Sequence, residues 1–481
     1  MSSDVVISPH RVSSMPPVVD KGRLVYAGFV VLGISSLLPW NLFITAHQYF
    51  DFKLRNVSLD QNESSSWTVL YPRSHLHDTQ QPYLQRSFEN YFTLTGSVSN
   101  LLGNAASALL ATRVSNSARM LFGHLLILAS LVPTILFAFL DTDQFGSSGF
   151  LCGSSMGLAA RFPPDYMQAQ VLGQAVAGVA TSVATLLSQA ATPRPSSSGQ
   201  AYFCLAFAFT LCSLLAYFLM LRTKYARYYL DDSPSHYPSS SAIVQRCPSP
   251  RLDEATDRDP LLVDSMQIVG SSSEEEEGEV EKRKVSTGAD ATESVVAHNK
   301  PQLFTVAKKI SYHSLIIILT FIVTLIIFPP LASAAKSTSS DAKWRVYFVP
   351  VACFLLFNSG DFIGRLATEW IRWPKACSWL HLFLSLCRFA FIPLFVMCNV
   401  LPRRKTLGVW FSADWTYVLF MAALALSNGY LISLNCMFGS KIVNEAELEL
   451  AGSLISLSCV VGTGLGSAFS FLLLRVIGTT S

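Results

Sequence analysis

Long apolar stretches recur along most of the chain, and they limit its possible folds more than any other feature of the sequence. The hydrocarbon core of a bilayer is about 30 Å thick, so a helix needs about 20 mostly apolar residues to cross it. Charged residues make up only 14% of the chain, whereas a soluble protein carries about 25%. We therefore predict an all-α polytopic membrane protein that has the lipid bilayer as its surroundings.

Ten of the predicted spans are long enough to cross a bilayer, and one, 145–160, is short. As a helix its sixteen residues rise only about 24 Å. We predict that it crosses, because the positive flanks of the polar stretch after the sixth span would otherwise face outside. The predicted spans are 24–46, 91–112, 120–140, 145–160, 166–191, 201–221, 310–331, 344–370, 378–400, 415–438 and 450–477.

Composition divides the chain into four predicted parts. A disordered N-terminus (1–20) precedes an N-terminal bundle of helices one to six (21–222). A disordered cytosolic linker (223–305) leads to a C-terminal bundle of helices seven to eleven (306–481). The linker contains a run of four glutamates and a basic cluster, and low hydrophobicity with blocks of like charge predicts disorder.

Two polar segments carry short modification or sorting patterns. Asn56 and Asn62 begin N-x-[ST] sequons in the loop after the first span, which predicts N-glycosylation and a lumenal or extracellular loop. In the linker, Leu261 and Leu262 follow acidic residues and resemble a dileucine sorting signal. The alternative is a chance match, because such patterns are short.

Several function classes lack their sequence signatures. The sequence has no P-loop, dinucleotide-binding, zinc-protease or hydrolase motif, so we predict neither an enzyme nor an ATP-driven pump, and no cofactor or metal. No basic patch with interleaved aromatic residues indicates nucleic-acid binding. Channel filters are absent, and the spans are too many for a seven-helix receptor. A solute carrier, in which helix bundles rock around a central site, fits best.

The eighth span carries a polar stripe of Asn358, Asp361 and Arg365 at helical spacing. Charged side chains are costly in hydrocarbon and usually face a bundle interior or a wet cavity. We interpret the stripe as the wall of a substrate path; the alternative is a structural ion pair. Arg388 in the ninth span is a second buried cation that could pair with Asp361. In the first span, Trp40 and Asn41 follow a proline, which predicts a kink beside a polar amide or a kink with an interfacial tryptophan.

Seven sequence pieces, in their order and spacing, resemble the equilibrative nucleoside transporter family. Each piece is weak evidence alone, but together they cover nearly the whole chain outside the N-terminus and the linker. They are Leu37-Leu38-Pro39-Trp40-Asn41 with Phe43-Ile44-Thr45-Ala46; Gly157-Leu158-Ala159; Gly173-Gln174 with Ala177-Gly178; Lys224-Tyr225-Ala226-Arg227-Tyr228-Tyr229; Cys353-Phe354-Leu355-Leu356-Phe357-Asn358 with Asp361 and Gly364-Arg365; Arg388-Phe389 with Ile392-Pro393-Leu394-Phe395; and Ser427-Asn428-Gly429-Tyr430-Leu431.

The resemblance implies a major-facilitator-like bundle of eleven helices, with the N-terminus in the cytosol and the C-terminus outside. It implies downhill, sodium-independent transport of nucleosides such as uridine and adenosine, and of some nucleobases. The implied location is the plasma membrane, or alternatively an endosomal or lysosomal membrane. Protein partners do not follow from it. The substrate contacts that it implies here are Trp40, Asn41, Phe328, Asn358, Asp361 and Arg365.

The fourth helix departs from the family pattern. Its first half is missing, and Cys152 stands where the family has a glutamine that contacts the base. A thiol is a poor substitute for an amide. Two alternatives to an ordinary facilitative carrier stay open, and only the first of them follows from the fourth helix. One is an inactive or regulatory short form that associates with full-length carriers, and the other is a proton-coupled endolysosomal nucleoside transporter that uses Asp361 as its titrating group.

Overall fold

The computed structural model describes residues 19–45, 98–137, 147–191, 195–230, 302–376, 378–400 and 408–477. The predicted glycosylation sites Asn56 and Asn62 and the predicted sorting residues Leu261 and Leu262 lie outside these ranges. Contacts divide the chain into two units, Met1–Val244 with Pro301–Ser481, and Gln245–Lys300. Every described residue belongs to the first unit.

The described chain is helical, apart from isolated bridges such as Ala335 with Val400. We label the helices in chain order. The first six are α1 (Leu24–Thr45), α2 (Val98–Leu110), α3 (Asn116–Phe137), α4 (Ser147–Ala160), α5 (Pro164–Ala191) and α6 (Pro195–Arg222). The later ones are α7 (Leu303–Ile327), α8 (Ala342–Ala367), α9 (Trp379–Val396), α10 (Asp414–Gly439) and α11 (Leu448–Ile477).

Eight helices in the described ranges are long and apolar enough to span a membrane. This confirms the prediction of an all-helical polytopic membrane protein. The number of eleven helices, the major-facilitator-like arrangement and the four-part division of the chain stay predictions. Both ends of the predicted linker are helical in the structure: Lys224–Leu230 forms a short helix after α6, and α7 already begins at Leu303.

Polar and apolar side chains are distributed as a bilayer requires. Large apolar residues such as Leu109, Leu215 and Leu472 are about 60% exposed on the outside of the bundle. Charged residues such as Arg119 and Arg388 are instead buried inside it. Exposed apolar surface of this extent is a membrane or protein interaction surface, and in a chain with spanning helices it faces lipid.

Two hydrophobic cores hold the helices together. The first contains Phe29 of α1, Met167 of α5 and Tyr217 of α6, and it also includes residues from the neighbouring ends of α7, α10 and α11. The second lies among α7 to α11 and contains residues such as Phe348 and Met421. The two cores share α7, α10 and α11, which therefore connect the N-terminal and C-terminal helices.

Helix α8 changes its winding just before the polar stripe. Asp341 caps it by accepting a hydrogen bond from the Lys343 backbone N–H at 2.9 Å. Residues Val349–Leu355 then form a π-helical turn that contains Pro350, and regular α-helix resumes from Leu356. Proline removes one backbone donor, and the wider turn accommodates that loss. From Leu356 onward, the residues of the polar stripe face the bundle interior after this π-helical turn.

Candidate functional site

The centre of the site is an ion pair within α8. Arg365 Nε donates to Asp361 Oδ2 at 2.8 Å, and the two residues are 5% and 6% exposed. Their separation of four residues places them on one helix face. Asp361 and Arg365 therefore face the interior together, as the sequence predicts.

Helix α10 supplies the second contact to the carboxylate. Asn428 Nδ2 donates to Asp361 Oδ1 at 2.6 Å, and Asn428 Oδ1 accepts from Thr324 Oγ1 at 2.7 Å. The two helices are close here because Gly429 has no side chain: a Cβ at that position would lie 2.0 Å from the Asp361 carbonyl oxygen. Both oxygens of the Asp361 carboxylate are thus bonded, one from α8 itself and one from α10.

The predicted pairing of Arg388 with Asp361 is wrong in its direct form. None of the ion pairs in the described chain joins the two residues. Arg388 instead donates to Thr324 Oγ1 at 2.8 Å, to the Leu424 carbonyl at 3.0 Å, and to Asn428 Oδ1 at 3.4 Å. A single amide, that of Asn428, therefore lies between the guanidinium and the carboxylate.

Arg365 also reaches the N-terminal helices. Its Nη1 donates to the Val171 carbonyl of α5 at 2.8 Å, and its own carbonyl accepts from Gln168 Nε2 at 3.3 Å. Gln168 Oε1 in turn accepts from the Tyr26 hydroxyl of α1 at 2.8 Å. A chain of hydrogen bonds thus links α8 to α5 and α1.

Asn358 makes a second connection between α8 and α5. Its Nδ2 donates to Ser182 Oγ at 2.8 Å and to the Phe354 carbonyl at 3.1 Å. A Cβ on Gly178 of α5 would lie 2.4 Å from Asn358 Oδ1, so any larger residue there would displace the Asn358 side chain. The polar stripe of α8 therefore faces α5 along two helical turns.

Phe328 lies next to the same stripe. It follows the last residue of α7, and its ring stacks on Phe357 of α8 with centroids 3.9 Å apart and an interplanar angle of 14°. Phe354 contacts it edge to face at 5.6 Å. The three rings form an aromatic wall beside Asn358, which is one helical turn from Phe354.

The remaining predicted site residues lie in α1. Asn41 is half-buried, and Trp40 belongs to the helix while its side chain lies outside the described residues. The assignment of these two residues to the site stays a prediction.

Four partners of the site were not predicted from the sequence: Asn428, Gln168, Ser182 and the Val171 carbonyl. Asn428 belongs to the motif Ser427–Leu431, but local spacing cannot show that it faces Asp361. A backbone carbonyl such as that of Val171 has no sequence signature. The amides of α5 were visible as polar groups in an apolar span, which was the one available signal.

The site offers hydrogen bonds and ring contacts, and no reactive group. A carboxylate accepts, guanidinium and amide groups donate, and aromatic faces enclose apolar surface. Within the described ranges, no three metal-binding side chains of His, Cys, Asp or Glu come together. The arrangement can bind a polar ligand that presents both donors and acceptors next to a flat ring.

Comparisons with known proteins identify the family of the chain. The family model described as nucleoside transporter matches residues 114–475. Equilibrative nucleoside transporter 1 of Homo sapiens is 30% identical over 95% of this chain and 98% of its own length. Equilibrative nucleoside transporter 2 of Rattus norvegicus is 32% identical over 94% and 97%. Proteins of this family are transporters and not enzymes. The polar stripe of α8 thus belongs to a membrane transporter, and the chain is a member of the nucleoside transporter family.

Proposed function

We propose that the chain carries nucleosides such as uridine and adenosine across a lipid bilayer, downhill and without sodium. One observation supports this most strongly. The buried Asp361–Arg365 pair of α8 bonds across to the Val171 carbonyl of α5. A charged pair between the N-terminal and C-terminal helices is where a carrier that rocks its two halves would bind its substrate.

The proposed contacts fall into two groups, one to the base and one to the ribose of the nucleoside. Asp361 accepts a base N–H, and Arg365 with Asn358 bonds the ribose hydroxyls. Phe328 and Trp40 enclose the base, and Asn41 offers an amide nearby. A buried group left without a partner costs about 1–3 kcal/mol, so an uncharged polar ligand needs this set. Some nucleobases, which share the base edge, are proposed as further substrates.

Ion pairs at one end of the bundle support alternating access. Arg23 at the start of α1 bonds Glu369 beyond α8 at 3.0 Å, and Arg372 bonds Asp165 at the start of α5. Arg119 of α3 bonds Glu449 of α11. The Arg119 pair is largely buried, but the Arg23 and Arg372 pairs are exposed. Exposed pairs are each worth about 0–1 kcal/mol, so breaking these two costs little and is reversible. We assign this end to the cytosolic side.

The experiment that tests the proposal is nucleoside flux into liposomes that contain the purified full-length chain. We expect uptake of labelled uridine or adenosine above the level of empty liposomes, with equal rates in sodium and choline buffers. Uptake equal to that of empty liposomes would reject a carrier function for this chain. Addition of a pH gradient in the same assay separates facilitative from proton-coupled transport.

Two alternatives predict other outcomes. Proton coupling through Asp361, in an endosomal or lysosomal membrane rather than the plasma membrane, predicts faster uptake at acidic pH. A regulatory short form predicts no uptake alone and lowered uptake by a co-expressed full-length relative. The observation that supports a short form is the length of α4: its apolar part, Phe150–Ala160, is shorter than the eight spanning helices of the described chain.

A further inference from the structure

Gln174 of α5 lies beside the proposed substrate site. It sits one turn after Val171, whose carbonyl binds Arg365, and one turn before Gly178, which makes room for Asn358. Residues three and four apart share a helix face. Gln174 is therefore adjacent to both points at which α5 meets the polar stripe of α8.

The amide nitrogen of Gln174 has a weaker acceptor than the amide nitrogens of Gln168 and Gln170 on α5. Gln168 and Gln170 are fully buried, and their Nε2 atoms donate to oxygen acceptors at 3.3 Å and 2.7 Å, while Gln170 Oε1 has no partner among the described residues. Gln174 is only half-buried, and its Nε2 donates to Cys152 Sγ of α4 at 3.4 Å. Sulfur is a weak acceptor. In a membrane bundle a half-buried amide with such a partner is available to a ligand.

The thiol itself lies among several helices. Ser456 Oγ of α11 is 3.4 Å from Cys152 Sγ and also donates to Asn104 of α2. Ser456 therefore has a better partner than sulfur. Cys152 holds Gln174 only weakly, so the amide can rotate by half a turn without losing a strong bond.

We propose that Gln174 determines base recognition by pairing its amide with the hydrogen-bonding edge of the substrate's base. This inference rests on the proposed transport of nucleosides. An amide presents one donor and one acceptor side by side, and its half-turn exchanges them. In one orientation it matches the amino group of adenine, and in the other the carbonyl of hypoxanthine or uracil. Because its contact with Cys152 is weak, Gln174 can pair with bases that carry an amino group and with bases that carry a carbonyl group.

Competition against labelled uridine by three purine nucleosides tests the inference in liposomes. Adenosine has a 6-amino group, inosine has a 6-oxo group, and purine riboside has neither. We expect adenosine and inosine to compete within about threefold of each other. Purine riboside should need a concentration at least about fivefold higher for the same inhibition, because it lacks one hydrogen bond to Gln174. In Gln174→Met the three should become equal within about twofold.

The matched control is Gln170→Met, one turn away on the same helix, whose amide bonds Ser155 Oγ at 2.7 Å. It should keep the wild-type order of the three competitors. Cys152→Ala removes the thiol and keeps the Gln174 amide, so it should keep that order as well. Each ratio is measured within one variant, so differences in the amount of folded protein cancel.

Three outcomes would overturn the inference. They are equal competition by all three nucleosides in the wild type, a wild-type order in Gln174→Met, and loss of the order in Cys152→Ala. Absence of uridine uptake by the wild type is a different result, because it rejects the proposed transport and not the role of Gln174 alone.

Discussion

Asn428 of α10 donates to the Asp361 carboxylate of α8 at 2.6 Å, so the charged residue of one helix is oriented by the amide of another. The amide is itself oriented, because its oxygen accepts from Thr324 Oγ1 and Arg388 Nη2. Three helices thus fix one carboxylate. This gives the site a definite geometry before any ligand binds, which lowers the cost of binding.

Replacement of Asn428 by leucine should lower nucleoside uptake by about tenfold or more. The variant leaves one Asp361 oxygen without its donor and removes the Asn428 oxygen that accepts from Arg388. Each such loss costs about 1–3 kcal/mol, whereas Thr324 keeps the Thr320 carbonyl as an acceptor. The matched control is Ser433→Ala on the same helix, which removes a bond to Thr368 at 3.0 Å and should change uptake by less than about threefold. Equal uptake by Asn428→Leu and Ser433→Ala would contradict this role.

Asp361→Asn and Arg365→Ala should each abolish uptake of uridine or adenosine while the protein remains in the membrane. Removal of one member of a buried ion pair leaves an uncompensated charge, which costs about 3–5 kcal/mol. Arg365→Lys should fail as well, because the two bonds of Arg365 leave from different nitrogens, Nε to Asp361 and Nη1 to Val171.

The measurement for these variants is initial uptake rate per amount of membrane-inserted protein. Thr368→Val, at the residue that follows α8 and three positions beyond Arg365, is the control and should transport nearly as well as the wild type. Normal uptake by Asp361→Asn would remove the carboxylate from the mechanism. It would leave the alternative of a structural ion pair.

Local features of the fold and the site were predictable from the sequence. Apolar runs of about 20 residues gave the helical membrane class, and the four-residue spacing of Asp361 and Arg365 predicted their common face. Both depend on neighbouring residues in one helix. The aromatic wall was predicted only in part, since Phe328 was named but its stacking on Phe357 was not.

Contacts between distant helices were not predictable in the same way. Asn428 is 67 positions from Asp361, and Arg388 was expected to contact that carboxylate directly. The histidines also formed no cluster in the sequence. In the structure, Asn435 joins His313 of α7 at 2.7 Å and His381 of α9 at 3.3 Å. Such partners depend on how distant helices pack and how each is rotated about its axis. The spacing of residues within one helix does not specify either.

Charge reversal at the closed end should slow transport, and exchange of the charges should restore it. Asp165→Arg places a second cation beside Arg372, where the wild type has an ion pair. We expect uptake to fall about fivefold to tenfold, because the closed state loses an attraction and gains a repulsion. The double variant Asp165→Arg with Arg372→Asp should recover to within about threefold of the wild type.

The control for this pair is Lys343→Asp at the exposed start of α8. It changes the net charge by the same amount as Arg372→Asp. Uptake should stay within about twofold of the wild type, because Lys343 forms no ion pair among those of the described chain. A double variant no better than Asp165→Arg alone would show that the pair does not hold this end closed.

Lys441 predicts a pH dependence of stability. It lies in the turn after α10, and its Nζ donates to the Ala160 carbonyl at 2.8 Å and to the Phe162 carbonyl. Burial lowers its pKa from 10.5 to about 8, against the opposing effect of Glu445. Between these two values the unfolded chain holds more protons than the folded chain, so the free energy of unfolding rises with pH. Below pH 8 both forms are protonated, and this contribution stays constant.

Melting of the purified protein in detergent between pH 7 and pH 10 should therefore show an increase of about 1–3 kcal/mol that depends on Lys441. Lys441→Arg keeps a donor to the same carbonyls and does not titrate in this range. Lys441→Met removes both the donor and the titration. Because other groups also titrate here, the quantity to compare is the difference between wild type and variant at each pH. That difference should grow above pH 8 for both variants. A constant difference would mean that the Lys441 ammonium is as well solvated in the folded protein as in the unfolded chain.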